Sequence, residues 1–300
     1  MKFLFIILLI LTAACSSNKS AHKMNAGAPK DLTKDSFKKE KALTQSEVKD
    51  YIAEQPKSVS PALQDETLDR YSVDELDALS SSSDPLIGIS IRCSKKDFDQ
   101  AFALAGKNFN RYQKIPAYWN LVANCHLNQG SPRKALLFYN KAIEVSPGYV
   151  PALNNIGVLY SRQGEDQKAL IAFERANKQS RFAKTPRYNL AKLYLRYGLA
   201  EFALPLFQGL LNESTGDLDL INAVANCYFL MSDYQKALGF YGKLPQGILG
   251  QSEYGLNYAM TLKKTGKAQE AQKVFNAITE PKSKELKDYY AVVAKQLGAQ

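Results

Sequence analysis

The sequence predicts an all-α fold, a right-handed α-α superhelix built from helix-turn-helix repeats. Three observations carry that prediction. The chain resembles itself at a period of 34 residues over 116–285, glycine holds one fixed place in four of the five periods, and small residues hold two others. A period of this size marks a solenoid, whose units bury their apolar faces only against neighbours. Counting Pro116 as position one, the first set is Trp119, Val122, Ala123, His126, Gly130, Ala135, Tyr139, Ala142 and Pro147. One period on come Leu153, Ile156, Gly157, Tyr160, Gly164, Ala169, Phe173 and Ala176. The third set has Leu190, Ala191, Tyr194, Gly198, Ala203, Phe207 and Leu210; the fourth has Val224, Ala225, Tyr228, Ala237, Tyr241 and Leu244. The fifth has Tyr258, Ala259, Leu262, Gly266, Ala271, Phe275 and Ile278.

Each element has a physical reason. The small residue at the eighth position lets the second helix approach the first, and the small residue at the twentieth does the same from the other side. Aromatic residues at the eleventh and twenty-fourth positions fill the space between units. Gly130, Gly164, Gly198 and Gly266 end the first helix where a positive φ is wanted. Ser232 takes that place in the fourth repeat, so a less ideal turn is expected there. Pro205 lies inside a second helix, removes a donor and should kink or loosen it. Upstream, residues 82–115 read as a degenerate capping repeat: Phe98 and Ala101 fit a second helix, whereas Gly88 to Arg92 fit a first helix poorly. Residues 286–300 read as a C-terminal capping helix, since terminal repeats expose an apolar side. Val122-Ala-Asn-Cys125 recurs as Val224-Ala-Asn-Cys227, three periods on, as if a three-repeat block had been duplicated.

The spacing W-x2-L-G-x2-Y, turn Gly, A-x3-F-x2-A and P resembles the tetratricopeptide repeat family across 116–285. That resemblance implies stacked helix pairs with a concave groove lined by first helices. It also implies which residues face a partner: Asn120, Asn124, Asn154, Asn155, Arg162, Tyr188, Asn189, Lys192, Arg196, Asn222, Asn226, Asn257, Lys263 and Lys264. Asparagine can grip a peptide backbone in either direction, and Lys or Arg can take acidic groups. Asn124 with Asn155, and Asn226 with Asn257 and Lys287, partly resemble the carboxylate clamp of chaperone-binding members. That clamp wants Lys where Asn120 and Asn222 stand and Arg where Asn189 and Ala291 stand, so a groove without clamp chemistry is expected.

The N-terminus carries a second signal. MKFLFIILLILTAAC has one Lys, an apolar run and small residues, which is a secretory signal peptide over 1–14, too short to span a bilayer. Leu11-Thr12-Ala13-Ala14-Cys15 resembles the bacterial lipobox. The resemblance implies acylation of Cys15 and, with Ser16 following, anchoring in the outer membrane of a Gram-negative bacterium, the array facing the periplasm. Residues 15–81 are polar and Lys-rich and read as a flexible tether. Two S/T-x-x-E capping boxes, at Thr44–Glu47 and Ser72–Glu75, allow short helices within it.

Catalysis and metal binding find no constellation. The only histidines are His22 and His126, no CxxC pair occurs, and no GxSxG, GxxxxGK[ST] or HExxH motif is present. Neither a cofactor nor a metal is expected. The net charge of +10 permits an anionic partner without choosing one, and no nucleic-acid partner is expected. Cys93 and Cys125 fall in adjacent units and could pair, but two small buried thiols are the expectation; Cys125 and Cys227 are too far apart to bridge. Cys125 and His126, though adjacent, point about 100° apart on a helix, so packing explains them better than a nucleophile and its base. The expected function is a non-catalytic, membrane-anchored adaptor that binds an envelope protein or peptide segment. Architecture favours assistance to a pilus, secretin or motility machine over regulation of peptidoglycan hydrolases or proteases.

Overall fold

The computed structural model describes residues 83–282 and 284–298. The expected signal peptide, Cys15 and the tether with its two short helices lie outside the described residues. Every regular element among the described residues is helical. The capping unit is α1 (Pro85–Ser94) and α2 (Phe98–Lys107), with a short α3 (Phe109–Tyr112). Then come α4 (Pro116–Asn128) with α5 (Pro132–Val145), α6 (Val150–Arg162) with α7 (Asp166–Gln179), and α8 (Lys184–Arg196) with α9 (Ala200–Glu213). The fourth repeat is α10 (Leu218–Leu230) with α11 (Tyr234–Tyr241) and a short α12 (Gln246–Leu249). The fifth is α13 (Ser252–Lys264) with α14 (Ala268–Asn276), and α15 (Lys284–Leu297) closes the array.

Each first helix packs on its own second helix and on the second helix before it. First helices also meet first helices: α1 on α4, α6 on α8, α10 on α13 and α13 on α15. They therefore form an inner layer, and the second helices an outer one. The small positions close the seams between layers. Ala123, Ala191, Ala225 and Ala259 at the eighth place, and Ala135, Ala169, Ala203, Ala237 and Ala271 at the twentieth, are wholly buried. Gly157 holds the eighth place in the second repeat because an added Cβ would lie 2.5 Å from the Phe173 ring.

The turns repeat as a unit. In all six helix pairs the residue after the turn returns its amide to a carbonyl five residues back, from Asp97 to Arg92 and Ser131 to His126 onward to Lys267 to Leu262. This is the Schellman closure, and it needs a positive φ. Gly130, Gly164, Gly198 and Gly266 supply it at +72° to +83°; Ser232 and Lys96 adopt it at +60° without a glycine.

Lys96 stands one period before Gly130, so the capping unit is a full repeat in register. The poor fit expected of Gly88 to Arg92 is corrected: they lie within α1, whose N-cap Asp84 accepts the Leu86 amide at 2.9 Å. The eighth place carries Ile89, fully buried, while the twenty-fourth carries Ala105 instead of an aromatic. Large and small have exchanged across the helix pair, so the volume is kept while the motif is lost. α9 runs unbroken through Pro205, so the lost donor does not end the helix. α11 stops after eight residues, and α12 follows Pro245. Gly255 is required there, because a Cβ would fall on the Leu249 carbonyl oxygen.

A second correction concerns the thiols. Cys93 and Cys125 form a disulfide, with Cα atoms 5.1 Å apart, where two separate thiols were expected. Their helices, α1 and α4, are neighbours in the inner layer. Cys227 occupies the place of Cys125 three repeats on, but the place of Cys93 is there held by the buried Leu195. Cys227 stays a free buried thiol, its pKa pushed up to about 12 by desolvation.

Candidate protein-binding groove

The inner layer presents one face of every first helix, and the asparagines on it are not available as expected. Asn120 and Asn154 are fully buried, and Asn124, Asn155, Asn222, Asn226 and Asn257 nearly so. They bond to one another across the repeat junctions. Asn155 Nδ2 donates to Asn120 Oδ1 at 3.1 Å and Asn124 Oδ1 at 3.2 Å, and Asn189 Nδ2 donates to Asn154 Oδ1 at 2.9 Å. Tyr139 from the outer layer donates to Asn124 Oδ1 at 2.6 Å. The same motif recurs 102 residues on: Asn257 Nδ2 donates to Asn226 Oδ1 at 2.8 Å, and Tyr241 to the same oxygen at 2.6 Å. Tyr289 of α15 then donates to Asn257 Oδ1, and Asn222 Nδ2 to the Glu253 carbonyl at 3.4 Å. The amides thus stitch first helix to first helix, although Asn120 Nδ2, Asn222 Oδ1 and Asn226 Nδ2 are buried without a hydrogen-bond partner. Burial removes these side chains from a ligand's reach in this structure.

The ladder breaks between the third and fourth repeats. The sixth-place asparagine meets one at the ninth place of the preceding repeat at Asn155–Asn124 and Asn257–Asn226, and at the fifth place at Asn189–Asn154, where the ninth is Val158. At the break the sixth place is Ala223 and the ninth is Lys192. Lys192 is half-buried, with its Nζ 5.5 Å from the Tyr188 ring centroid. Burial, and then the charge of Arg196, hold its pKa below the ordinary lysine value, with Asp219 opposing. Of the nearby carboxylates, Asp166 is paired with a cation and Asp219 takes a neutral hydroxyl. Asp166 accepts Arg196 Nη1 at 2.8 Å and the Tyr197 hydroxyl at 2.8 Å, and Asp219 accepts the Tyr254 hydroxyl.

The other expected contact residues divide by exposure. Arg162, Lys263 and Lys264 are exposed; Tyr188, Asn189 and Arg196 are intermediate. Arg196 is braced by Ser161 Oγ at 2.9 Å, and Lys263 donates to the Gln296 carbonyl of α15. What sequence reasoning missed is that the sixth-place amides serve the fold. The alternation of Asn155, Asn189, Ala223 and Asn257 at that place was the available signal.

His126 lies between two rings, Phe102 at 4.4 Å and Phe138 at 5.1 Å, both near parallel to it. Burial, then Lys134, lower its pKa. Tyr228 stacks on Phe240 at the duplicated place, 5.6 Å apart. Among the described residues no group of His, Cys, Asp and Glu is placed to hold a metal, and no helix is long and apolar enough to cross a membrane.

Residues 116–149 and 138–171 each match a family model described as tetratricopeptide repeat. No curated protein sequence matches the chain. Among solved structures, PilF of Pseudomonas aeruginosa is similar at 16% identity, over 73% of this chain and 99% of PilF, with a TM-score of 0.56. YrrB, described as a TPR protein with an unusual peptide-binding site, is similar at 17% identity over 65% of this chain and 97% of YrrB, with a TM-score of 0.54. A MamA fragment from Desulfovibrio magneticus RS-1 is similar at 16% identity over 54% of this chain and 91% of that one, with a TM-score of 0.50. Identities this low show the fold alone, an all-α solenoid of the tetratricopeptide type. Such a scaffold is suited to protein–protein interaction.

Proposed function

We propose that the chain is a non-catalytic adaptor, anchored in the outer membrane through acylated Cys15, whose groove holds a segment of an envelope protein during assembly of a pilus, secretin or motility machine. The observation that carries the groove reading is the residue set left over by the asparagine ladder. Arg162 and Lys264 are exposed at the thirteenth place, Lys192 is half-buried against Tyr188, and Arg196, paired with Asp166, follows one turn on, all on the inner-layer helices. A face that mixes cations with an aromatic ring suits recognition of an extended polypeptide. The Cys93–Cys125 disulfide favours an oxidising compartment such as the periplasm. The pilus reading rests on the architecture of an anchored repeat scaffold.

The test is photo-crosslinking in cells from probes at Arg162 and Lys264, with the captured protein identified by mass spectrometry and secretin multimers followed in a deletion strain. Capture of a secretin or pilus component, with multimers lost, is expected. Normal multimers in the deletion strain sink the assembly role, and capture of a peptidoglycan hydrolase or protease transfers the adaptor to that process.

A further inference from the structure

The break in the asparagine ladder has a chemical consequence. At the three other junctions of the five repeats a neutral amide meets a neutral amide across the groove floor. Between the third and fourth repeats the ninth place is a cation and the sixth is a methyl, so no amide carbonyl from the sixth place reaches the lysine. Asp166 is paired with Arg196, and Asp219, whose charge acts on Lys192 without an ion-pair contact, accepts the Tyr254 hydroxyl. Among the described residues Lys192 forms no ion pair, and its neighbours on α8, Tyr188 and Arg196, sit one turn before and one turn after it. A half-buried ammonium with no carboxylate in contact is costly and is relieved by an anion that makes that contact.

We infer that the junction of the third and fourth repeats is a carboxylate pocket, in which Lys192 pairs with an Asp or Glu side chain of the acidic peptide segment that the groove holds. The inference rests on the groove reading above and adds the chemistry of the occupant. Charge complementarity supports it: the whole chain carries +10, and here a cation on the groove floor faces a ring with no carboxylate in contact. Tyr188 supplies a flat wall beside the carboxylate, and Arg196 raises the local potential while held in place by Asp166 and Ser161.

The test uses the full chain in detergent and a fluorescent decapeptide of alternating Glu and Leu, compared with its Gln counterpart. The Glu peptide is expected to bind more tightly, and Lys192→Gln to weaken it about tenfold, as loss of one charge-assisted contact implies. Lys192→Arg is expected to retain binding. Lys178→Gln makes the same charge change on the exposed outer helix α7 and is expected to alter affinity less than twofold. Equal weakening by Lys178→Gln and Lys192→Gln would reduce the effect to net charge and overturn the pocket. An affinity that rises when Asp65, Glu66, Asp69, Asp74, Glu75 and Asp77 become amides would assign the pocket to the chain's own acidic stretch, overturning the intermolecular occupant. Unchanged peptide affinity in Lys192→Gln, with the Arg162 crosslink still captured, overturns the pocket and leaves the groove. Loss of groove crosslinks altogether is instead the failure of the adaptor reading.

Discussion

Opening the Cys93–Cys125 bridge should loosen one end of the array and leave the other unchanged. The two residues are 32 apart in sequence. In the chain-entropy treatment a closed loop of that length restricts the unfolded state by about 3.7 kcal/mol. A solenoid does not distribute such a loss evenly, because its stability is a sum of unit and nearest-neighbour contributions. The loss should fall on the α1–α4 interface, where the bridge sits, and fade beyond the next repeat. The single tryptophan, Trp119, is well placed to report it: it lies on α4, donates Nε1–H to the Gln113 carbonyl at 2.7 Å and meets Phe109 edge-on at 5.9 Å. The assay compares oxidised and reduced protein, which differ by no packed carbon, by hydrogen exchange and by tryptophan fluorescence in urea. Exchange in 85–128 should accelerate by several hundredfold, the factor that about 3.7 kcal/mol implies at 1.4 kcal/mol per decade. The tryptophan transition should move to lower urea, ahead of the loss of helical signal, while exchange in 252–276 stays as it was. Equal acceleration at both ends, or none at 85–128, would refute the combination of bridge and nearest-neighbour stability.

The asparagine ladder and the stacked histidine make two further predictions. Asn155→Ala removes the donor shared by Asn120 and Asn124 and should cost about 2–3 kcal/mol in urea unfolding, from lost bonds and a buried acceptor left unmet. Asn257→Ala should cost a similar amount at the duplicated site, whereas a change within 0.5 kcal/mol, the ordinary scale of surface substitutions, would mean the ladder contributes nothing to stability. His126 has a folded pKa below its unfolded value, so the unfolded state binds more protons as pH falls toward and below the ordinary histidine range. Stability should be full above that range and decline as pH drops through it. His126→Phe, which keeps a flat ring between Phe102 and Phe138, should show a smaller loss in urea midpoint between pH 7.5 and 5.5; an equal loss in both proteins would remove His126 as the cause.

Much of the fold is local and periodic, which is why it was legible. A small residue every 34 positions, a glycine at the turn and an aromatic at the twenty-fourth place each express a constraint that one repeat imposes on itself. Where the constraint is shared across a helix pair, the motif fails though the structure does not. Ile89 and Ala105 exchange large and small and keep the volume, so the capping unit looked degenerate while folding in register. The site was less legible for a related reason. Spacing groups Asn124 with Asn155 and Asn226 with Asn257 as partner-facing, yet in the structure each pair is bonded to itself across neighbouring first helices.

The sequence by itself determined the repeat, its register, its turns and the packing role of His126, because these depend on spacing within about one period. Only the tertiary structure decided which polar groups are consumed by the fold and which are left. It paired Cys93 with Cys125 and left Cys227 facing an array in which Leu195 replaces the partner. It also turned the asparagines into a ladder and left Lys192 at the break. Those outcomes depend on distances between side chains of different repeats, set by how closely the inner helices stack, and no single repeat encodes that distance.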